Sequence, residues 1–119
     1  MKTLRNKVSL IGNLGMDPKV TELEGGRKRV RFTLATNDTY RNAKGEKIVD
    51  TQWHNIVAWG NNAVFAEKYL KKGMEVTLDG RLTYRDYQDQ KGETRYITEV
   101  IVDNILILHG NRQQTAVEA

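Results

Sequence analysis

Apolar residues recur at helical spacing in only one part of this chain. Ala63, Ala66 and Leu70, with Phe65 and Tyr69 alongside, fall on one helical face between Asn61 and Gly73. Asn61 or Asn62 is placed to cap the start of that helix, Lys71 and Lys72 suit its negative end, and Gly73 suits the position just past it. Elsewhere the period is two. Val8, Leu10, Gly12 and Leu14 share one parity, although Ile11 breaks the alternation. Val30, Phe32, Leu34 and Thr36 alternate with Arg29, Arg31, Thr33 and Ala35, which makes a second strand with a basic outer face. Val76, Leu78, Gly80 and Leu82 alternate with Thr77, Asp79, Arg81 and Thr83, with Gly80 placed where a barrel strand could bend. Asp86 to Gly92 forms a hairpin tip, and Arg95 to Val102 returns from it, continuing less cleanly to Leu108.

Between the second strand and the helix runs Thr51 to Gly60, which holds both tryptophans. Strand geometry places Trp53, Asn55, Val57 and Trp59 on one side and His54, Ile56 and Ala58 on the other. At about 3.3 Å per residue the two indoles stand roughly 20 Å apart, too far to stack on each other but suited to two contacts along one surface. Aromatic usage alone leaves core and platform equally open for them. The connections are a loop from Asn13 to Pro18, a short extension from Lys19 to Leu23, and turn chemistry at Glu24-Gly25-Gly26. From Asp38 to Asp50 the sequence reads as a long loop carrying Tyr40, with three bases balancing three acids.

Several functional classes are excluded by what the chain contains. Its 119 residues fit one domain, residues 1–110, followed by a short flexible tail at 111–119. With no cysteine there are no disulfides, no thiol nucleophile and no thiolate zinc site. His54 and His109 are the only histidines, no phosphate loop or nucleophile motif is present, and Asp79, Asp86, Asp89 and Glu93 are too loosely placed for a nuclease site. No enzyme activity, cofactor or metal is therefore expected. No apolar run is long enough for a membrane span and no signal core follows Met1, so the expected location is cytoplasmic and nucleoid-associated. The formal net charge of +4 makes a polyanion a reasonable partner, with bases concentrated at Lys2, Arg5 and Lys7, at Arg27 to Arg31, and at Lys71 and Lys72.

The order strand, strand, long loop, strand, helix, strand, hairpin, strand is that of a mainly all-β OB-fold. This is a five-stranded Greek-key barrel with one α-helix between strands three and four, whose second and third strands form a ligand face. On that reading Arg29 and Arg31 lie beside Trp53 and Trp59 on the outside, while Phe32, Leu34, Ile56 and Ala58 face the core. An OB-fold module that holds nucleic acid weakly and protein partners strongly is the other reading this order allows.

Asn6-Lys7-Val8, Ile11 to Pro18, Leu34-Ala35-Thr36, Trp53-His54, Tyr69 to Gly73, Gly80-Arg81-Leu82 and Arg95 to Val100 resemble, in order and spacing, the bacterial single-stranded DNA-binding proteins. The resemblance implies stacking of DNA bases on Tyr40, Trp53, Trp59 and Tyr87, and phosphate contacts from Lys7, Lys72 and Arg85. It implies a subunit interface at His54 in a homotetramer, and protection of single strands in replication, recombination and repair. Family members commonly continue to an acidic tip that recruits replication and repair partners. Asn111 to Ala119 has no such feature, so tail-mediated recruitment is not assigned to this chain.

Overall fold

A computed structural model describes residues 4–110; residues 111–119, the expected tail, lie outside the described residues. After a short turn at Leu4–Asn6 come β1 (Val8–Leu14), β2 (Lys19–Glu22), β3 (Lys28–Arg41) and β4 (Lys47–Trp59). The single helix α1 (Asn61–Tyr69) follows, then β5 (Glu75–Gln88) and β6 (Thr94–His109). The sheet runs β1-β5-β6-β4-β3-β2, and a second pairing of β1 with β3, at Asn13↔Ala35 and Leu14↔Leu34, closes five of the strands into a barrel. Only β2 stands outside the ring, paired along β3. The expected OB-fold barrel is therefore present, with its helix between the third and fourth barrel strands, and the extension at Lys19–Leu23 is β2.

Alternation built the interior. Val30, Phe32 and Leu34 of β3 meet Ile56 and Ala58 of β4, Val76 and Leu78 of β5, and Val100 and Val102 of β6, all buried. Each large apolar side chain so enclosed contributes about 1.5–3 kcal/mol relative to exposure. Helix α1 adds Ala63 and Ala66, small enough for close approach to the strands it packs against, and Leu70 just beyond it. Gly80 sits at a register shift between β5 and β6. A Cβ there would collide with the Ile101 carbonyl, so the glycine lets the two backbones approach at the bend.

Three expectations about the helix change. Neither Asn61 nor Asn62 caps α1: Gly60 holds that position with φ 60° and no side-chain cap. Asn62 instead donates to the carbonyls of Val102 and Asp103 at 3.2 and 3.3 Å, fastening the helix to the irregular part of β6. Gly73 lies three residues past the C-cap Leu70, in a turn where its N–H reaches the Leu14 carbonyl at 2.9 Å. Tyr69 is not core. Its ring stands 5.3 Å from that of Phe65 and is half exposed, because a nine-residue helix buries only the stripe of its two alanines.

The largest change is at Asp38–Asp50, which is a hairpin and not a loop. β3 and β4 stay paired without interruption to Arg41↔Lys47, leaving five residues, 42–46, as the turn. Thr39, Ile48, Val49 and Thr51 supply β-branched residues to a ladder that no core covers. The β5–β6 hairpin is likewise longer than expected, paired to Gln88↔Thr94 with its tip at residues 89–93. Among the described residues no helix is long and apolar enough to cross a membrane.

Candidate nucleic-acid interface

Strands β3, β4, β6 and β5 are successive neighbours, so one parity of each contributes to a single outer face. The registers Arg31↔Val57, Val57↔Ile101 and Arg81↔Ile101 fix which residues share it. Arg31 comes from β3, Trp53 and Trp59 from β4, Glu99 from β6, and Arg85 and Tyr87 from β5. Five of the expected site residues, drawn from three separate segments, thus lie on one surface.

The two tryptophans resolve the choice between core and platform differently. Trp53 is 61% exposed. Its ring lies so close to Gly15 that a Cβ at that position would strike it, and Thr33 borders the same spot. Gly15 is therefore the seat of the indole, on the loop leaving β1. Trp59, at the other end of the run, is partly buried, and the Arg27 guanidinium carbon stands 5.1 Å from its ring centroid, within cation–π range. Val57 between them is buried, flanked in register by Arg31 and Ile101.

Charge on this face is organised by Glu99, which sequence reasoning missed. The residue is 4% exposed, and its carboxylate accepts from Arg85 Nε at 2.9 Å and Nη2 at 3.3 Å, while Arg31 Nη2 lies 3.6 Å away. The hydrogen bond to Glu99, and then its negative charge, hold the Arg85 guanidinium above its ordinary pKa against the opposing effect of burial. Two cations against one anion leave the cluster net positive, and the paired geometry orients guanidinium planes that keep further N–H groups free for phosphate. Glu99 stands on the outward parity of β6, where an acid normally meets water, so only its pairing partners reveal its burial. On β3, two residues before Arg31, Arg29 has a buried Nε without a hydrogen-bond partner among the described residues.

The remaining expected residues are not brought onto this face. Tyr40 is half exposed but on the opposite parity: Ala35 pairs with Trp53, and the unbroken ladder puts Tyr40 beside Ile48 on the other surface of the hairpin. Lys7 precedes β1, two strands removed from β4 across β5 and β6, and lies 3.6 Å from Asp79. Lys72 is exposed in the turn after α1, where its backbone N–H donates to Asp17 Oδ1 at 2.9 Å; no ion pair engages its ammonium among the described residues. His54 faces the inner parity, Nε2 2.9 Å from Thr36 Oγ1, at the edge of a cleft shared with Trp53, Tyr96 and Thr98. Tyr84 and Tyr96 are highly exposed on the surface of the β5–β6 hairpin opposite Tyr87. They continue the even parity that buries Leu78 and Val100 in the barrel, on a part of the hairpin where no core lies beneath it. No group of three or more His, Cys, Asp or Glu among the described residues is placed to hold a metal ion.

The model of the single-strand binding protein family matches residues 5–108. A single-stranded DNA-binding protein of Bacteroides thetaiotaomicron is 47% identical over 105 residues, covering 87% of this chain and 65% of that protein. Single-stranded DNA-binding protein 1 of Chlorobaculum tepidum is 43% identical over 104 residues, covering 87% and 64%. The chain therefore spans about two thirds of the length of these relatives. Among solved structures, an SSB of Plasmodium falciparum in complex with single-stranded DNA superposes with a TM-score of 0.80 at 34% identity, covering 91% of this chain and 98% of that one. A deletion mutant of the single-stranded DNA-binding protein from Thermus aquaticus gives 0.76 at 28% identity, covering 88% and 51%.

Proposed function

The chain belongs to the single-strand binding protein family, and on that premise we propose that it binds single-stranded DNA without strong sequence preference and protects it during replication, recombination and repair. The observation that carries this reading is Trp53, a largely exposed indole seated on Gly15 on the same face as the Arg31–Glu99–Arg85 cluster. An unpaired base offers a π-face to an indole, and each base stacked on an aromatic side chain contributes about 1–3 kcal/mol whatever its identity. Guanidinium groups beside it neutralise phosphate, a contribution that falls with salt at a log-log slope of about −0.7 per phosphate for single strands. Duplex DNA conceals its base faces and holds its backbone stiff, so the same surface discriminates against it.

Trp59 and Tyr87 extend the stacking path along the face. Tyr40, Lys7 and Lys72 engage a longer strand where it passes off the face onto the hairpin and the β1 side. The chain works by binding, not catalysis, in the cytoplasm with the nucleoid, and assembles as a homotetramer with His54 at a subunit interface. Titration with oligo(dT) tests the binding: intrinsic tryptophan fluorescence is strongly quenched, and a duplex of equal length competes poorly. Absence of quenching at low salt would overturn it. Sedimentation tests the assembly separately, and a monomer at micromolar concentration would overturn the tetramer while leaving the binding face untouched.

A further inference from the structure

We propose that Arg27 and Trp59 form a two-sided clamp for one base, with the guanidinium stepping back from the indole to admit the base between them. Beside Trp59 opens a pocket of about 500 Å³, walled by Arg27 and Lys28 on one side and by Gly60, Asn61 and Val64 on the other. That volume lies within the range of about 300–1,000 Å³ usual for small-ligand pockets, so a nucleotide fits it. The indole is one wall and Arg27 stands over its ring at 5.1 Å. Stacked bases are spaced roughly 3.4 Å apart, so a base between two planes needs about twice that separation. The height of the guanidinium above the ring is at most its 5.1 Å distance from the centroid, so it is too close for a sandwich and must withdraw to admit a base.

It is free to do so. Arg27 is exposed, follows two exposed glycines, and makes no ion pair among the described residues. Its neighbour Lys28 is committed: Nζ is 2.6 Å from Glu67 Oε1, and that hydrogen bond raises the ammonium pKa. Among the described residues no cation stands over Trp53, so the two indoles offer different subsites: an open platform at one end of β4 and a clamp at the other. Guanidinium planes stack on bases as aromatic rings do, and an ammonium lacks the plane, so arginine is specifically required.

The inference rests on the single-stranded DNA reading, and single-tryptophan proteins separate the two. With Trp53→Phe, Trp59 is the only indole; with Trp59→Phe, Trp53 is. Oligo(dT) is expected to quench both. If neither responds, the binding reading fails; if only the Trp53 protein responds, the clamp fails and binding stands. In the Trp53→Phe background, Arg27→Ala is expected to weaken oligo(dT) binding about fivefold with an unchanged melting temperature. Arg27→Lys should restore less than half of that loss, and an abasic phosphodiester oligomer of equal length should bind the variants and the parent alike. Unchanged or tighter binding by Arg27→Ala would overturn the clamp, tighter binding marking Arg27 as a competitor for the indole. Full rescue by lysine, or an equal loss on the abasic oligomer, would overturn it in favour of a simple phosphate contact.

Discussion

Two hairpins leave the barrel, and they end in the same turn built on different side chains. In the β3–β4 hairpin, Asn42 Oδ1 accepts from the N–H groups of Lys44 and Glu46 at 2.9 and 3.0 Å, and the Asn42 carbonyl accepts from Gly45 N–H at 2.9 Å. In the β5–β6 hairpin, Asp89 Oδ1 accepts from Lys91 and Glu93 at 2.9 and 3.0 Å, and its carbonyl accepts from Gly92 at 3.0 Å. Gly45 and Gly92 hold nearly the same left-handed conformation, φ 80° and 79°. The tip sequences, Asn-Ala-Lys-Gly-Glu and Asp-Gln-Lys-Gly-Glu, differ mainly in an amide against a carboxylate. Only the carboxylate gains a charged partner, Arg95 Nε at 3.0 Å from Oδ2; Arg41, in the other hairpin, reaches the Gly45 carbonyl instead. One turn geometry thus serves two electrostatic designs, and the hairpins differ again in which surface presents their tyrosine.

That second difference yields the largest expected effect. Tyr87 shares the face of Trp53 and Trp59, whereas Tyr40 lies on the reverse surface of its hairpin. On an oligonucleotide only long enough to cover the face, Tyr87→Ala is expected to cost about 1–3 kcal/mol of binding and Tyr40→Ala very little. Lengthening the oligonucleotide should make the Tyr40 effect emerge, as the strand reaches the hairpin's other side. Equal losses on the short oligonucleotide would erase the distinction between the two hairpins.

Their roots differ as well. The β3–β4 hairpin is joined near its base by Thr36 and His54, while the β5–β6 hairpin is held by Arg85 on Glu99, which also holds Arg31. Glu99→Gln is expected to cost about 1–2 kcal/mol of stability, less than a fully enclosed ion pair because both guanidiniums are partly exposed. Thr36→Val, which removes one hydrogen bond, should cost about 1 kcal/mol. In binding the asymmetry is sharper. Glu99→Gln frees two cations and should steepen the salt dependence by up to about 0.7 per added phosphate contact, while Thr36→Val leaves the slope unchanged. Thermal melts and oligo(dT) titrations over a salt series check both.

The contrast between barrel and hairpins also explains what the sequence disclosed. Burial writes alternation into a strand, so Val30 to Leu34, Ile56 to Ala58 and Val76 to Leu82 were legible together with the helix that packs on them. Beyond Thr36 and Leu82 nothing covers the strands, and their ladders are maintained by backbone pairing and turn chemistry. Asp38–Asp50 consequently read as a loop. The second tip is legible as a hairpin, and the same pattern, an Asn or Asp three residues before the glycine of Lys-Gly-Glu, is a usable signal for the first as well. Parity gave Trp53 and Trp59 a common side, and the order of the elements turned that side outward. Tyr40 had no side assigned to it, because the resemblance supplied its role while the register decides its surface. Glu99 was invisible for a different reason: burial of an outward acid depends on two arginines from other strands.

The smallest expected effect tests the tips themselves. Hydrogen bonds from Arg95 and from the Glu93 and Lys91 amides lower the Asp89 pKa below the ordinary carboxylate value, against a weaker opposing effect of desolvation. A group with a depressed folded-state pKa binds protons more readily when its surroundings open. Its contribution is therefore complete above the ordinary value of about 3.9 and is lost as the pH falls through the lower, folded-state value. Asn42 does not titrate, so the β3–β4 tip should hold through the same range. Amide exchange at Lys91 and Glu93, compared with Lys44 and Glu46 after correction for intrinsic rates, is expected to accelerate in acid only at the former pair. Asp89→Asn should abolish that acid response and Asn42→Asp should create one, of smaller size because Arg41 is turned toward a carbonyl and not the side chain. An acid response at Lys91 and Glu93 that survives Asp89→Asn would mean that the two tips differ in packing and not in charge.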